Sequence, residues 1–220
     1  MKLSLILAQA RSGELDSLSK KDKTDEKVVG YINLALIALY SRFQLATEEA
    51  IVRLRPDLPK TIYTMDSTDA DVTVNGMPMP DDEFMSIVSA YNEDGTQIKV
   101  NDEKNAYGIF TVSYNQVQIP LLDSNTFVSI IYRRNPELIV PTYDGSGNAS
   151  EANVPVPMQL LECLLHYVGY RAHGAVNGAI NTEHNTHYMR YEAACKQAEQ
   201  LGILTPDDVN HDSVEKKGYV

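Results

Sequence analysis

The sequence predicts an α+β protein: a helical bundle made from both ends of the chain, with a small antiparallel β domain inserted between them. Three observations carry this. Apolar residues recur with a helical period up to Leu45, alternate with a period of two through the middle, and return to the helical period after Pro157. Turn signals, Asn75-Gly76 and Asn92-Glu93-Asp94-Gly95, cluster in the middle block. Short apolar helices on either side of a β block cannot each bury their own faces, so the first and last pairs should close on one another. The expected organisation is 1–47 N-terminal helices, 48–134 β insertion, 135–156 a Pro/Gly-rich linker, 157–202 C-terminal helices and 203–220 a flexible tail.

Leu3, Ile6, Leu7, Ala10, Leu15 and Leu18 fit a first amphipathic helix, weakened at Gly13. Ser19 to Asp25 is a charged, solvated turn. Thr24 to Leu45 has the clearest helical reading, and the rest of the chain is expected to be built around it: Val28, Ile32, Ala35, Leu36, Leu39 and Phe43 form one stripe. Val29, Tyr31, Leu34, Ile37 and Ala38 cover much of the remainder, so other elements should surround it. Thr24 or Asp22 can cap its start, and Asp25 and Glu26 favour the positive end of its dipole.

In the middle, Ala50–Leu54 and Lys60–Met65 read as a hairpin around Pro56 and Pro59, and Met65–Asp82 as a mobile acidic excursion with one short strand at Asp71–Gly76. Phe84–Tyr91 and Thr96–Val100 form a second hairpin, and Ile109–Tyr114, Gln116–Pro120 and Phe127–Arg133 complete roughly six strands. Pro157 suits a first helical residue. Leu160, Leu161, Leu164, Leu165, Val168 and Ala172 then face one way, ending near His173-Gly174. A last helix runs from the candidate cap Thr182 to Gly202.

The 220 residues carry 19 Lys+Arg against 30 Asp+Glu, a formal net charge of -11, which repels a phosphate backbone and weighs against a nucleic-acid reader. The two cysteines, Cys163 and Cys195, fall on different helices, make no disulfide framework and suit a reducing compartment. The apolar run after Met1-Lys2 is too short for a signal peptide, and no run approaches membrane-spanning length, so a cytosolic chain is expected.

Chemistry is sparse. Glu183-His184-Asn185-Thr186-His187 places two histidines at i, i+3 beside a carboxylate, a spacing that can share a metal, but it lacks a third and fourth ligand. His166 and His173 read as partly buried, hydrogen-bonded histidines. Asp81-Asp82-Glu83 reads equally as a cation site or an acidic turn. Phosphate loops, nucleophile elbows and Cys-His motifs are missing, so neither a cofactor nor enzymatic activity is expected.

Gly13-Glu14-Leu15, Leu18, Tyr31 to Leu36 and Leu39 to Phe43 together resemble the opening of the head-to-tail adaptor proteins of tailed bacteriophages. Phe84 to Tyr91 before Glu93-Asp94-Gly95, Asn101-Asp102-Glu103, Tyr107 to Thr111, Tyr167 to Ala172 and Tyr188 to Leu201 extend the resemblance to Gly202. The architecture is similar to the tail tubular protein A type of short-tailed phages.

The resemblance implies a virion structural protein, assembled in the host cytoplasm. It would form a ring of about twelve copies under the portal protein, connecting it to a tail or nozzle protein, with double-stranded DNA passing through without sequence-specific binding. An acidic wall suits that passage. Tyr167, Tyr170, Tyr188 and Tyr191 are then the expected contacts between subunits, and Lys216, Lys217, Tyr219 and Val220 of the C-terminal tail the expected portal contacts. Asp144–Asn153 and Asp66–Asp82 are candidates to meet the next tail component. Two other classes stay open: an oligomeric ligand- or receptor-binding module with a β recognition domain, and a metal-dependent hydrolase using Glu183, His184 and His187.

Overall fold

The computed structural model describes residues 1–55, 60–102, 104–105, 107–120, 126–140, 152–177 and 182–203. The chain divides into two compact units, one of Met1–Leu45 with Pro136–Thr205, the other Ala46–Asn135. Helices fill the first and antiparallel sheets the second, as expected for an α+β chain with a β insertion.

The helical unit contains α1 (Leu3–Ser12), α2 (Asp25–Arg42), α3 (Leu161–Asn177) and α4 (Thr182–Gln200). α1 stops earlier than its apolar spacing suggests. The Gly13 amide bonds Gln9 O at 3.0 Å and the Leu15 amide bonds Ala10 O at 2.9 Å, so Leu15 and Leu18 are buried from turns rather than from a helix. The charged turn is more than solvated: Lys23 Nζ donates to the carbonyls of Leu15 and Asp16 at 3.3 and 3.1 Å. Thr24 occupies the cap position of α2 but its hydroxyl makes no cap bond, and Asp22 is taken by Ser19 and Lys27.

The main stripe of α2 is fully buried, from Val28 to Phe43. Its second face is covered only in part: Val29 is buried, but Leu34 is 37% and Ile37 44% exposed, which corrects the expectation of a helix enclosed on most sides. α2 is also not the hub. α3 packs against α4, α2 and α1, because its Cys163, Leu164, Val168 and Ala172 bury a face among all three. α3 begins after a short 3-10 helix, Met158–Leu160, for which Pro157 is the cap residue, and it continues through Gly174 to Asn177. At the end of α4 the Ile203 amide reaches back to Ala198 O at 3.2 Å around Gly202, whose φ of +86° suits glycine.

The N-terminal stretch is stitched to the stretch that follows the β unit. The Val154 amide bonds Met1 O at 2.6 Å and the Leu3 amide bonds Ala152 O at 2.9 Å. Asn33 holds Ile139 through both its side-chain atoms, at 3.0 and 2.9 Å, and Tyr40 donates to Pro155 O at 2.9 Å. Arg42 reaches Glu192 and Glu199 on α4 at 2.8 and 2.9 Å. Burial opposes the Arg42 charge, but the two carboxylates hold its pKa above the usual arginine value. From Pro136 onward the described part of the linker is thus part of the bundle.

Among the described residues the β unit has nine strands: β1 (Thr47–Arg53), β2 (Ile62–Thr64), β3 (Val72–Val74), β4 (Met77–Pro78), β5 (Phe84–Asn92), β6 (Gln97–Ile98), β7 (Phe110–Ser113), β8 (Gln116–Gln118) and β9 (Phe127–Arg134). They form a six-stranded sheet, β4-β3-β1-β9-β5-β6, and a three-stranded sheet, β2-β8-β7. Register places Ala50 opposite Ile130 and Val52 opposite Val128, all four buried. The expected hairpin across Pro56 does not exist as a pairing. β1 lies between β3 and β9, and β2 pairs with β8 in the other sheet, a long-range choice that local turn residues cannot specify. β5 carries two register irregularities, which break the simple alternation read from its sequence.

Met65–Asp82 is likewise not an excursion. Met65, Val72, Val74 and Met79 are buried in the β core, and Asn75-Gly76, with φ of 52° and 78°, turns β3 into β4. Its acids serve the fold. Asp66 accepts from the Thr68 amide and Asn115, Asp71 pairs with Arg55, and Asp81 accepts from the Ser67 amide. Asp69 is 6% exposed and accepts from Lys60 and from the amides of Thr64 and Asp71. Burial alone would raise its carboxyl, but Lys60 and the two amides hold it below the ordinary carboxylate value.

Candidate functional site

The chemistry-bearing residues of the helical unit converge where the α1–α2 connection crosses α3 and α4. Glu14 is placed by the tight turn after Gly13 and by the burial of Leu15 beside it. His166 and His173 come from α3, seven residues apart and so on one face, and His187 from α4. His166 Nδ1 lies 3.2 Å from Glu14 Oε1 and His187 Nδ1 lies 2.6 Å from Glu14 Oε2. His173 donates Nε2–H to the Glu14 carbonyl at 3.0 Å and stacks on the His187 ring, with centroids 4.7 Å apart.

Gly169 makes this convergence possible. A Cβ there would sit 2.8 Å from His187 Nδ1 and 3.2 Å from Glu14 Cβ, so only glycine lets the α4 imidazole and the Glu14 side chain approach α3 this closely. The Glu14 carboxyl is held far below the usual carboxylate range by His166 and then His187, against the opposing effect of burial. A cleft of about 490 Å³, lined by Glu14, Asp16, Ser17, His173, His187 and Arg190 among others, leads to the cluster.

This arrangement differs from the one suggested by Glu183, His184 and His187. His187 turns toward Glu14 and His166; the side chains of Glu183 and His184 lie outside the described residues. At Asp81-Asp82-Glu83 the acids are occupied by the Ser67 amide, a turn with positive φ at Asp82, and an ion pair from Glu83 to Arg134. His173 is buried and hydrogen-bonded as read from sequence. Glu14 was visible in the sequence only as a neighbour of Leu15. The legible signal was a glycine inside α3 flanked on one face by His166 and His173.

The four tyrosines form one cluster of rings within the helical unit. Tyr167 packs edge-on to Tyr170 and Tyr191, with centroids 5.6 and 5.1 Å apart, and Tyr170 lies 5.1 Å from Tyr188. Tyr191 is 5% exposed, whereas Tyr188 is 44% exposed and is the ring of the four that presents most surface. Cys163 and Cys195 are free and buried, and their helices are packed together. Lys216, Lys217, Tyr219 and Val220 lie outside the described residues, as does most of Asp144–Asn153. Among the described residues no helix is long and apolar enough to cross a membrane. No model of a known protein family matches the sequence, and no curated protein matches it.

Proposed function

We propose that this chain is a virion structural protein, a head-to-tail adaptor of a tailed bacteriophage. It assembles as a ring beneath the portal protein, offers a platform to a tail or nozzle protein and lets double-stranded DNA through without reading it. It has no catalytic role in this assignment. The reading rests on the resemblance drawn from the sequence, and one structural observation supports it: the bundle closes and still leaves an apolar strip in solvent. Leu34 and Ile37 are 37% and 44% exposed on α2. Leu138 and Val140, 51% and 76% exposed, flank Ile139, which is pinned to Asn33 beside them. Single exposed apolar residues are ordinary, but a group held in place by a buried partner suits a surface that another protein covers.

In this reading a second copy of the chain covers the strip, as a ring requires of each lateral face. Tyr188, exposed on α4 and packed on Tyr170 and Tyr191, offers a second contact. The net charge of -11 keeps DNA from adhering to the channel wall. The test is to mix the purified chain with the portal complex of its own virus and measure mass and electron-microscopy images. Co-migration as a ring of added subunits is expected. A chain that ignores the portal overturns the adaptor reading and favours the ligand-binding module.

A further inference from the structure

We infer that Glu14, His166 and His187 form a binding site for a first-row divalent metal ion of the zinc class, which ties the two ends of the chain together within the helical unit. The ligand atoms, one from each residue, lie within 4.8 Å of one another. Two imidazole nitrogens and a carboxylate are a donor set suited to zinc and its neighbours rather than to calcium or magnesium.

Four observations make this a built site. Glu14 Oε2, His166 Nδ1 and His187 Nδ1 are all buried, and beyond the contacts among these three side chains none has a hydrogen-bond partner. The nitrogen–oxygen separations of 3.2 and 2.6 Å bring both imidazoles within ion-pair distance of the one carboxylate. A cation between the three satisfies all of them at once. The His187 ring is fixed by stacking on His173, with centroids 4.7 Å apart. Gly169 keeps clear the space that a Cβ would fill. The cleft bounded by Asp16, Ser17 and Arg190 gives the ion an entry path and room for a water as a further ligand.

The three ligands come from the α1–α2 connection, α3 and α4, so the ion would fasten the N-terminal helices to the C-terminal pair. This is independent of the adaptor assignment and is tested without it. Full-length chain lacking a polyhistidine tag is titrated with Co²⁺, followed by its visible absorption, and then with Zn²⁺. Saturation at one Co²⁺ per chain, displacement by Zn²⁺, and a rise in melting temperature with Zn²⁺ are expected. His187→Asn, His166→Asn and Glu14→Gln should each weaken binding by at least about tenfold. His184→Asn should bind within about twofold of the parent. Gly169→Ala, which keeps every ligand but crowds His187, should weaken Co²⁺ binding while circular dichroism stays unchanged. A parent chain with no saturable site overturns the inference, as does parent-like binding in His187→Asn or loss of binding in His184→Asn. Should a ligand variant fail to fold, the parent stoichiometry and Gly169→Ala decide it.

Discussion

The β unit and the helical unit are held together in opposite ways. Among the described residues the β unit is one continuous stretch whose ends lie side by side: Thr47 pairs with Arg133, and the Arg134 amide bonds Ala46 O at 3.1 Å. The helical unit is assembled from two stretches separated by that whole insertion. It depends on links between them, such as Asn33 to Ile139, Tyr40 to Pro155, Arg42 to Glu192, and Glu14 to His166 and His187. An insertion with adjacent ends leaves its host free to close around it, at the cost of contacts that must be found across a long sequence separation.

The largest effect follows from excision. Residues 46–135 expressed alone should fold cooperatively, with dispersed amide resonances, whereas residues 1–45 alone should not, because their apolar stripe loses α3. A disordered 46–135 fragment would break the comparison. Next in size is Asp69→Asn in the β unit, which removes the charge facing Lys60 and turns into a donor one of the two oxygens that accept from Lys60 and two amides, and it should cost about 2 kcal/mol in urea unfolding at neutral pH. The Asp69 carboxyl titrates in the folded chain below its ordinary value of 3.8, so its contribution is fully present above that pH. As pH falls through the depressed value the contribution is lost, and the gap between parent and variant should close. A gap that widens in acid would contradict the assignment. The smallest is Asn33→Leu, which removes both bonds to Ile139 and should cost about 1 kcal/mol, with faster amide exchange confined to the 138–140 segment.

How much of this was legible depended on distance along the chain. The helices and the Gly95 and Gly76 turns are local, and their periodicity or turn chemistry appears in any short window. Sheet order is not local: β1 chose β3 and β9 over the neighbouring β2, and the acids of Met65–Asp82 looked like surface because their amide partners are invisible in sequence. The same holds for the histidines. His187 was paired with its neighbour His184 by spacing, while its actual partner, Glu14, lies on the other side of the insertion. Likewise the hydrophobicity of α2 reads as that of a hub, but Leu34 and Ile37, 37% and 44% exposed, leave part of this apolarity in solvent.

That surplus gives the adaptor reading its sharpest test. Amide hydrogen exchange of the chain, alone and after mixing with the portal complex, reports on residues 31–38 and 138–140. The adaptor account predicts strong new protection in both segments once the ring forms, with the β1–β9 pairing unchanged. Exchange in both segments that is identical with and without the portal would contradict it.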